Sequence, residues 1–402
     1  MSVPVPSALT ERVRDFIRDE VIPVEEQVAG VVHGNGHEAD EALRARLQSA
    51  ARAAGLLAPQ LPTEWGGHGI TALEQADVFE AAGYSLLGPI ALNIAAPDEG
   101  NMHMIERVAS VEQKEQWLRP LAAGDIRSAF AMTEPPPGTG SDPRALNTRA
   151  ERVAGGWRIS GEKWFITGAR GADVVICMAR TSGERGDAGG ATMFLVPGGT
   201  PGMSIVRDME TVDAGFFGGH SVMSFDDCVV TDSAVLGEVD EGFRYAQVRL
   251  APARLTHCMR WLGLAGRAHD IALGHATARE GFGARIADLG LAQQHIADNE
   301  IDIAASRALI RETARLLDAG ADAGTASSIA KTFVAEAVGR VVDRSVQLAG
   351  GQGVSGELLL SRYWREVRPF RIYDGSSETH RWSIAKRAIS RFRKGERHDL
   401  AR

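Results

Sequence analysis

Near the C-terminus, the run Arg368-Pro-Phe-Arg-Ile-Tyr-Asp-Gly-Ser-Ser-Glu-Thr-His-Arg sets a carboxylate, Asp374, on a loop between two helical stretches, followed by Gly375 and small hydroxyl residues. A carboxylate on a glycine-hinged loop can be presented to a pocket as a general base. It can also simply cap the helix starting near Ser377, the commoner fate of Asp at such a place. Earlier in the chain, Phe130-Ala-Met-Thr-Glu-Pro-Pro-Pro-Gly-Thr-Gly-Ser-Asp is a Gly-rich turn with hydroxyls, able to aim backbone N–H groups at an anion or the edge of a flavin ring. Turn chemistry alone reads it as an exposed Pro/Gly connection. Gly161-Glu-Lys-Trp-Phe-Ile-Thr-Gly-Ala places two aromatics beside a hydroxyl on a strand, a pattern that serves a core as well as a cofactor.

Other patterns carry less. Gly351-Gln-Gly353-Val-Ser-Gly356 matches GxGxxG with Asp374 beyond it, but a dinucleotide-binding fingerprint needs a strand before it and a helix after it. The preceding Lys331 to Leu348 has helical period. His33 and His37 span Gly34 and Gly36, and there is no HExxH, so no metal site is expected. The basic tail from Lys386 to Arg397, with Phe392 its single aromatic, reads as a solvated helix end.

The elements that must position these groups follow from periodicity. Val13, Phe16, Ile17 and Val21, then Leu43, Leu47 and Ala51, recur at helical spacing, so the chain reads as helical from Ser7 to about Leu121, with loops at 30–36 and 59–69. Thr71 and Glu74 form a capping box at the start of a further helix. Between Ile126 and Gly237 the pattern changes to short β-like runs, including Gly156-Trp-Arg-Ile-Ser, Val174-Val-Ile-Cys-Met and Thr192-Met-Phe-Leu-Val, separated by Gly-rich turns such as 182–190. Helical period returns from Gly242 onward, with the Ala/Gly-rich stretch 319–326 as a turn between helices. The expected fold is mainly α with a central β domain, divided into a helical domain (1–125), a middle β-barrel or sandwich domain (126–238) and a C-terminal helical bundle of four helices (239–402).

Composition sets outer bounds. The 402 residues are 44% apolar and 24% charged, an ordinary globular balance with ample material for a core. A net charge of −8 argues against a nucleic-acid binder, whose affinity comes mainly from basic side chains on phosphates. Cys177, Cys228 and Cys258 are an odd number without a CxxC pair, which suits a reducing cytoplasm. No signal-like start and no apolar run of about 20 residues is present, so neither secretion nor membrane insertion is expected.

Taken in order, FAMTEP, GTGSD, KWFITG, Arg279-Glu-Gly-Phe282-Gly, Gln347-Leu-Ala-Gly-Gly-Gln-Gly and Ile372-Tyr-Asp-Gly-Ser resemble the acyl-CoA dehydrogenase family over nearly the whole chain. The resemblance implies FAD as cofactor and an acyl-CoA thioester as substrate in fatty acid metabolism. It implies that Phe130, Met132 and Thr133 line the isoalloxazine with Phe165 and Thr167 on its other side. Gly140 and Ser141 would meet the pyrophosphate or the pantetheine arm. Arg279, Phe282, Gln347, Gly350 and Gly351 would contact a neighbouring subunit's FAD, implying a homo-oligomer, most simply a homotetramer built as a dimer of dimers. Ser376 and Glu378 would return to the first subunit's cofactor, while Ser141, Arg254, Tyr373 and Gly375 would touch the substrate. An electron-transfer flavoprotein is the family's usual acceptor.

By the same resemblance Asp374 is the base that removes the α-proton, with its backbone N–H among the donors to the thioester carbonyl, before hydride passes from the β-carbon to flavin N5. The family usually has Glu there, and some members carry the base directly before an Arg early in the bundle, where this chain has Ala253 before Arg254. The segments Arg249-Leu-Ala-Pro-Ala-Arg-Leu-Thr-His-Cys-Met-Arg and Ala96-Pro-Asp-Glu-Gly-Asn-Met look like the subgroup with Asp as regular base. Pro136 and Pro137 lengthen the flavin loop, and Gly290 stands where a Gln is frequent. The competing readings are a flavin oxidase of the same fold acting on nitroalkanes and a non-catalytic subunit binding FAD or acyl-CoA.

Overall fold

The structure is a computed structural model, and it describes residues 7–28, 37–140, 142–213 and 219–395. Loop 30–36, with His33, lies outside the described residues, as do Ser141 and the side chain of His37. The described chain is helices, then strands, then helices, in the order that periodicity predicts. It separates into two compact units, residues 8–70 with 85–253, and residues 71–84 with 254–395 of the described chain.

In the first unit, helices Ala8–Phe16, Ile22–Val28, His37–Ala53 and Asp98–Val108 precede the strands. These are β1 (Ser128–Ala131), β2 (Arg149–Val153), β3 (Gly156–Thr167), β4 (Val174–Arg180), β5 (Ala191–Pro197), β6 (Met203–Asp208), β7 (His220–Thr231) and β8 (Val235–Leu236). They form one sheet in the order β6-β7-β3-β2-β4-β5-β8, with β1 parallel to β4. The order places β3 three positions from β5, roughly 14 Å in a flat sheet at the usual strand spacing. Yet the rings of Trp157 on β3 and Phe194 on β5 lie 5.6 Å apart. The sheet therefore folds over on itself, and Trp157, Ile159, Val175, Cys177, Phe194, Phe225 and Val230 fill the space inside.

The uninterrupted apolar run of β4 has a reason in this arrangement. Its residues are all buried, because Val175, Cys177 and Ala179 face that inner core. Val174, Ile176 and Met178 face a second core made with Met102, Met104, Ile105, Leu118 and Leu121 of the helical segment. A strand covered on both faces has no polar side to alternate with.

In the second unit, the helix Ala72–Gly83 opens with the expected capping box, Thr71 Oγ1 accepting from the Glu74 N–H and the Glu74 carboxylate accepting from the Thr71 N–H. It packs against the helix segment after Arg254 at very short range: a Cβ on Gly83 would sit 2.0 Å from the Arg260 carbonyl oxygen, and one on Gly263 2.1 Å from that of Glu80. Glycine is required at both crossings. The unit's other long helices are Gly290–Asp318, Gly324–Gly353 and Ser377–Arg393, the first two joined by the Ala/Gly-rich turn. Gly351 and Gly353 fall in the last turns of a helix and follow no strand, so the structural context of a dinucleotide fingerprint is lacking there.

Candidate active site

The segment that leads out of β1 is built around one buried carboxylate. Glu134 accepts from the backbone N–H groups of Thr139, Asn147 and Thr148 at 3.2, 2.7 and 2.9 Å. Its Oε1 also pairs at 2.8 Å with Lys163 Nζ, both side chains being inaccessible to solvent. Lys163 donates further to the carbonyls of Met132 and Met178. The lysine and these hydrogen bonds hold the Glu134 carboxyl below its usual range against the opposing effect of burial. The extra prolines are absorbed locally: Gly138 N–H donates to Pro135 O, the Glu134 N–H to Thr139 O, and Pro136 and Pro137 face solvent.

A bulge in β3 decides which way its aromatics point. The pairing of β3 with β7 slips between Lys163 and Ile166, and Phe165 takes a positive φ of 54°. A bulge re-aims side chains. Here Lys163 and Ile166 turn inward while Phe165 is left 47% exposed. The Trp164 N–H donates to Thr133 O at 3.0 Å, tying the bulge to the loop. Thr167 Oγ1 is 2.9 Å from His220 Nδ1. Phe130, Met132, Thr133, Phe165 and Thr167 are thus gathered along one pair of tied segments, each at least partly accessible, while Gly140 lies exposed farther along the loop.

The two segments singled out as marking a subgroup meet here. Asp98 Oδ1 accepts from the N–H of Ser128 at 2.7 Å and from its hydroxyl. Asn101 Nδ2 donates to Ser128 Oγ, and Arg249 Nε donates to Asn101 Oδ1 at 2.8 Å. The Arg249 guanidinium lies 4.1 Å from the centre of the Phe130 ring. Burial raises the Asp98 carboxyl, with Arg127 and Ser128 opposing.

In the second unit, Asp374 stands at φ 54° and Gly375 at φ 96°, between the short helix ending at Arg371 and the helix Ser377–Arg393. Asp374 does not cap that helix. Ser376 does, its Oγ accepting from the Thr379 N–H at 3.2 Å. The left-handed backbone at Asp374 is held by side chains: Arg254 Nε donates to its carbonyl at 3.0 Å and His380 Nε2 sits 3.1 Å from the same oxygen. Lys331 Nζ donates to the Gly375 carbonyl at 2.7 Å. Three cationic or potentially cationic groups therefore grip two consecutive carbonyls.

Burial sets their protonation. It pulls Lys331 down to about 8, with Asp374 among the groups that oppose the shift. It also pulls His380 down to about 4, helped by the Arg254 charge, and the helix N-terminus at which His380 sits acts in the same direction. The Asp374 carboxylate lies 3.3 Å, through Oδ2, from His257 Nε2. Around it, the ring of Tyr373 is 4.8 Å from His257 and 5.6 Å from Phe370, and Trp261 Nε1 donates to the Tyr373 hydroxyl.

The structure thus brings Asp374, Tyr373, Gly375 and Arg254 together, and His257, Trp261, Lys331 and His380, which the sequence does not single out, stand around the same loop. Arg254, His257 and Trp261 stand at i, i+3 and i+7, one face of a helix, which is the signal that would have found two of them. Arg279 precedes a small hairpin of β9 (Glu280–Gly281) and β10 (Ala284–Arg285), and Phe282 stands at its tip with its ring 97% exposed. Gln347 is exposed beside Gly350, where φ 58° and ψ −134° break the helix. The hairpin and the break share a small apolar cluster that includes Ile286, Ala292 and Leu348. Glu378 is exposed in the first turn of the last long helix.

Comparison with known proteins bears on all of these segments. The family models for the N-terminal, middle and C-terminal domains of acyl-CoA dehydrogenase match residues 6–125, 129–228 and 240–389. The chain is 37% identical over 328 residues to the probable acyl-CoA dehydrogenase FadE2 of Mycobacterium tuberculosis, covering 80% of each protein. It is 33% identical over 386 residues to the human acyl-CoA dehydrogenase family member 11, covering 93% of this chain but 49% of that protein. Among solved structures, a probable acyl-CoA dehydrogenase from Mycobacterium abscessus superposes with a TM-score of 0.83 at 29% identity over 95% of this chain and 98% of that one. PigA, solved with FAD and proline, shares the fold with a TM-score of 0.87 at 24% identity over 97% and 100% of the two chains.

Proposed function

The chain belongs to the acyl-CoA dehydrogenase family, and on that premise we propose that it desaturates an acyl-CoA thioester to the 2,3-enoyl thioester with Asp374 as the base. Its class is that of the family, an FAD-dependent oxidoreductase. The observation that carries the assignment of the base is the Asp374 loop. A helix cap needs neither a positive φ nor three donors on two carbonyls, and Ser376 already performs the capping.

The residues present fit an aromatic, polyanionic cofactor. Phe130, Met132, Thr133, Phe165 and Thr167 offer accessible apolar surface and hydroxyl groups on tied segments, and the solvent-facing ring of Phe165 on its bulge is hard to explain as core. By the family resemblance Gly140 and Ser141 meet the pyrophosphate or the pantetheine arm, and Ser376 and Glu378 contact the cofactor. Bound there, FAD would supply the acceptor for the hydride lost from the β-carbon. The protein's part is to remove the α-proton with Asp374 and to stabilise the thioester oxygen's developing charge with fixed donors, among them the Asp374 backbone N–H. Arg254 and Lys331 fix the loop, and Tyr373 and Gly375 line the acyl group's approach.

Arg279, Phe282, Gln347, Gly350 and Gly351 serve the FAD of a neighbouring subunit, a reading supported by a nearly bare phenylalanine ring at a hairpin tip. The assembly is then a homo-oligomer, a dimer of dimers, with an electron-transfer flavoprotein as acceptor and a role in fatty acid metabolism. A reducing cytoplasm suits its three buried free thiols, and among the described residues no helix is long and apolar enough to cross a membrane. Domain borders near 125 and 238 remain the simplest division of the sequence. Anaerobic addition of a panel of acyl-CoAs to the yellow protein tests the function: bleaching of the flavin supports it, and no bleaching by any thioester contradicts it.

A further inference from the structure

The hydroxyl of Thr167 ends a chain of three polar side chains that the proposed reaction does not yet use. Thr167 and His220 are cross-strand partners at the end of the β3–β7 pairing. Thr167 Oγ1 lies 2.9 Å from His220 Nδ1, and His220 Nε2 lies 2.9 Å from Oδ2 of Asp213, on the stretch after β6. Burial works against the charge on Asp213, but the hydrogen bonds of His220 and Thr211 hold its carboxyl below the usual range. An ionised carboxylate can only accept, so Nε2 carries a hydrogen. In the neutral ring Nδ1 is then bare, and the hydrogen in its contact comes from Thr167. That hydroxyl has a single hydrogen and gives it to His220. Toward any other partner it can accept but not donate.

The ends of the strands hold this arrangement in place. The Gly168 N–H donates to the Gly219 carbonyl at 3.0 Å, and the Met209 N–H donates to the His220 carbonyl at 2.8 Å. The side chains of His220 and Asp213 are only 19% and 15% exposed, which leaves the imidazole little room to turn. Thr167 itself remains partly accessible. It stands two residues beyond the exposed ring of Phe165, with the buried Ile166 between them, so both belong to one face of the strand end. A ligand lying on that face can reach the hydroxyl.

We propose that His220, its tautomer set by Asp213, is a positioning residue that fixes the Thr167 hydroxyl as a hydrogen-bond acceptor toward the flavin. The proposal rests on the reading above that Thr167 lines the isoalloxazine. An accepting oxygen repels a bare ring nitrogen and pairs with a ring N–H. Two-electron reduction adds a ring N–H to a flavin, and the hydride lost from the β-carbon carries both electrons. An accepting Thr167 therefore favours the reduced cofactor over the oxidised one. It draws the dehydrogenation toward the enoyl product without touching the proton that Asp374 removes.

The test is the two-electron midpoint potential of the FAD-loaded protein at pH 8, with no thioester present, read by equilibration with a reference dye. Nitrogen-15 spectra of histidine-labelled wild type accompany it, with the His220 signal identified by its loss in H220N. They should show a ring protonated on Nε2 and bare at Nδ1. H220F removes the acceptor and is expected to lower the preference for reduced over oxidised flavin about tenfold, the usual worth of one hydrogen bond, which is a fall of about 30 mV. H220N, whose amide oxygen can stand in for Nδ1, should stay within about threefold of wild type, or about 15 mV. T167V should fall as H220F does. Adding H220F to T167V should then change nothing further, because a histidine that acts through the hydroxyl has no effect once the hydroxyl is gone. A His220 ring carrying hydrogen on Nδ1, H220F at the wild-type potential while T167V falls, or H220F lowering the potential of T167V as much as that of wild type overturns the proposal. If H220F does not fold, a fall in T167V together with an Nε2-protonated ring supports the proposal, and a ring protonated on Nδ1 still overturns it. T167V at the wild-type potential would take Thr167 away from the flavin and sink the reading on which the inference rests. Wild type bleached by no thioester would sink the proposed reaction while leaving the potentials and the tautomer to decide this inference.

Discussion

His380 shows how one side chain can hold a loop and sensitise the protein to acid. Its imidazole must be neutral to remain buried beside Arg254, and its folded value lies at about 4, below the ordinary 6.5. The unfolded chain therefore binds more protons between these values, and stability rises with pH across that window. The contribution is fully present above about 6.5 and is lost as pH falls toward 4. His380→Gln should flatten the dependence of the urea midpoint on pH between these limits, and an unchanged acid slope would assign it to other groups. At this scale the sequence was legible where chemistry is local. Asp374 stood out because Gly375 and the hydroxyls follow it, though whether it capped a helix stayed open until Ser376 was seen to do so. His257, Lys331 and His380 were not legible as a set, because they meet Asp374 only when three separate helices converge on its loop.

The loop around Glu134 is an element that depends on one buried ion pair. Three backbone N–H groups and Lys163 all point at a single carboxylate. Glu134→Leu would leave the lysine charge and these donors unmet in the interior, which typically costs about 3 to 5 kcal/mol. Urea unfolding should show a loss of that order together with weaker FAD retention, whereas a loss below about 1 kcal/mol, the worth of an exposed pair, would contradict the burial described here. The strands themselves were readable from their apolar runs, and the capping box at Thr71 from its spacing. The bulge at Trp164 and Phe165 was not, since a register slip depends on what β7 offers across the sheet and leaves no local mark in the sequence. The folding-over of the sheet, shown by Trp157 meeting Phe194, was invisible for the same reason.

For the whole molecule, the exposed hairpin at Phe282 and the exposed Gln347 carry the proposal that each FAD is shared between subunits. About one FAD per chain is expected, and dilution far enough to separate subunits should release it, because a ligand bound across an interface stabilises that interface by mass action. Sedimentation followed at a flavin wavelength checks this, and dilute monomers that keep their flavin would contradict shared sites. The helix–strand–helix order was legible from periodicity alone, while the placing of residues 71–84 with the C-terminal helices was not, since it depends on the glycine crossings at Gly83 and Gly263. The central claim is that Asp374 is the base of an FAD-dependent dehydrogenation, and its most direct test compares anaerobic bleaching of wild type, Asp374→Glu and Asp374→Asn by one good acyl-CoA. Asn keeps the size of the side chain but removes the base, so FAD and thioester should still bind while reduction slows by about 10² to 10⁴. Glu keeps a base that is displaced by about a bond length and should fall between the two. An Asn variant that bleaches as fast as wild type would remove Asp374 from the mechanism.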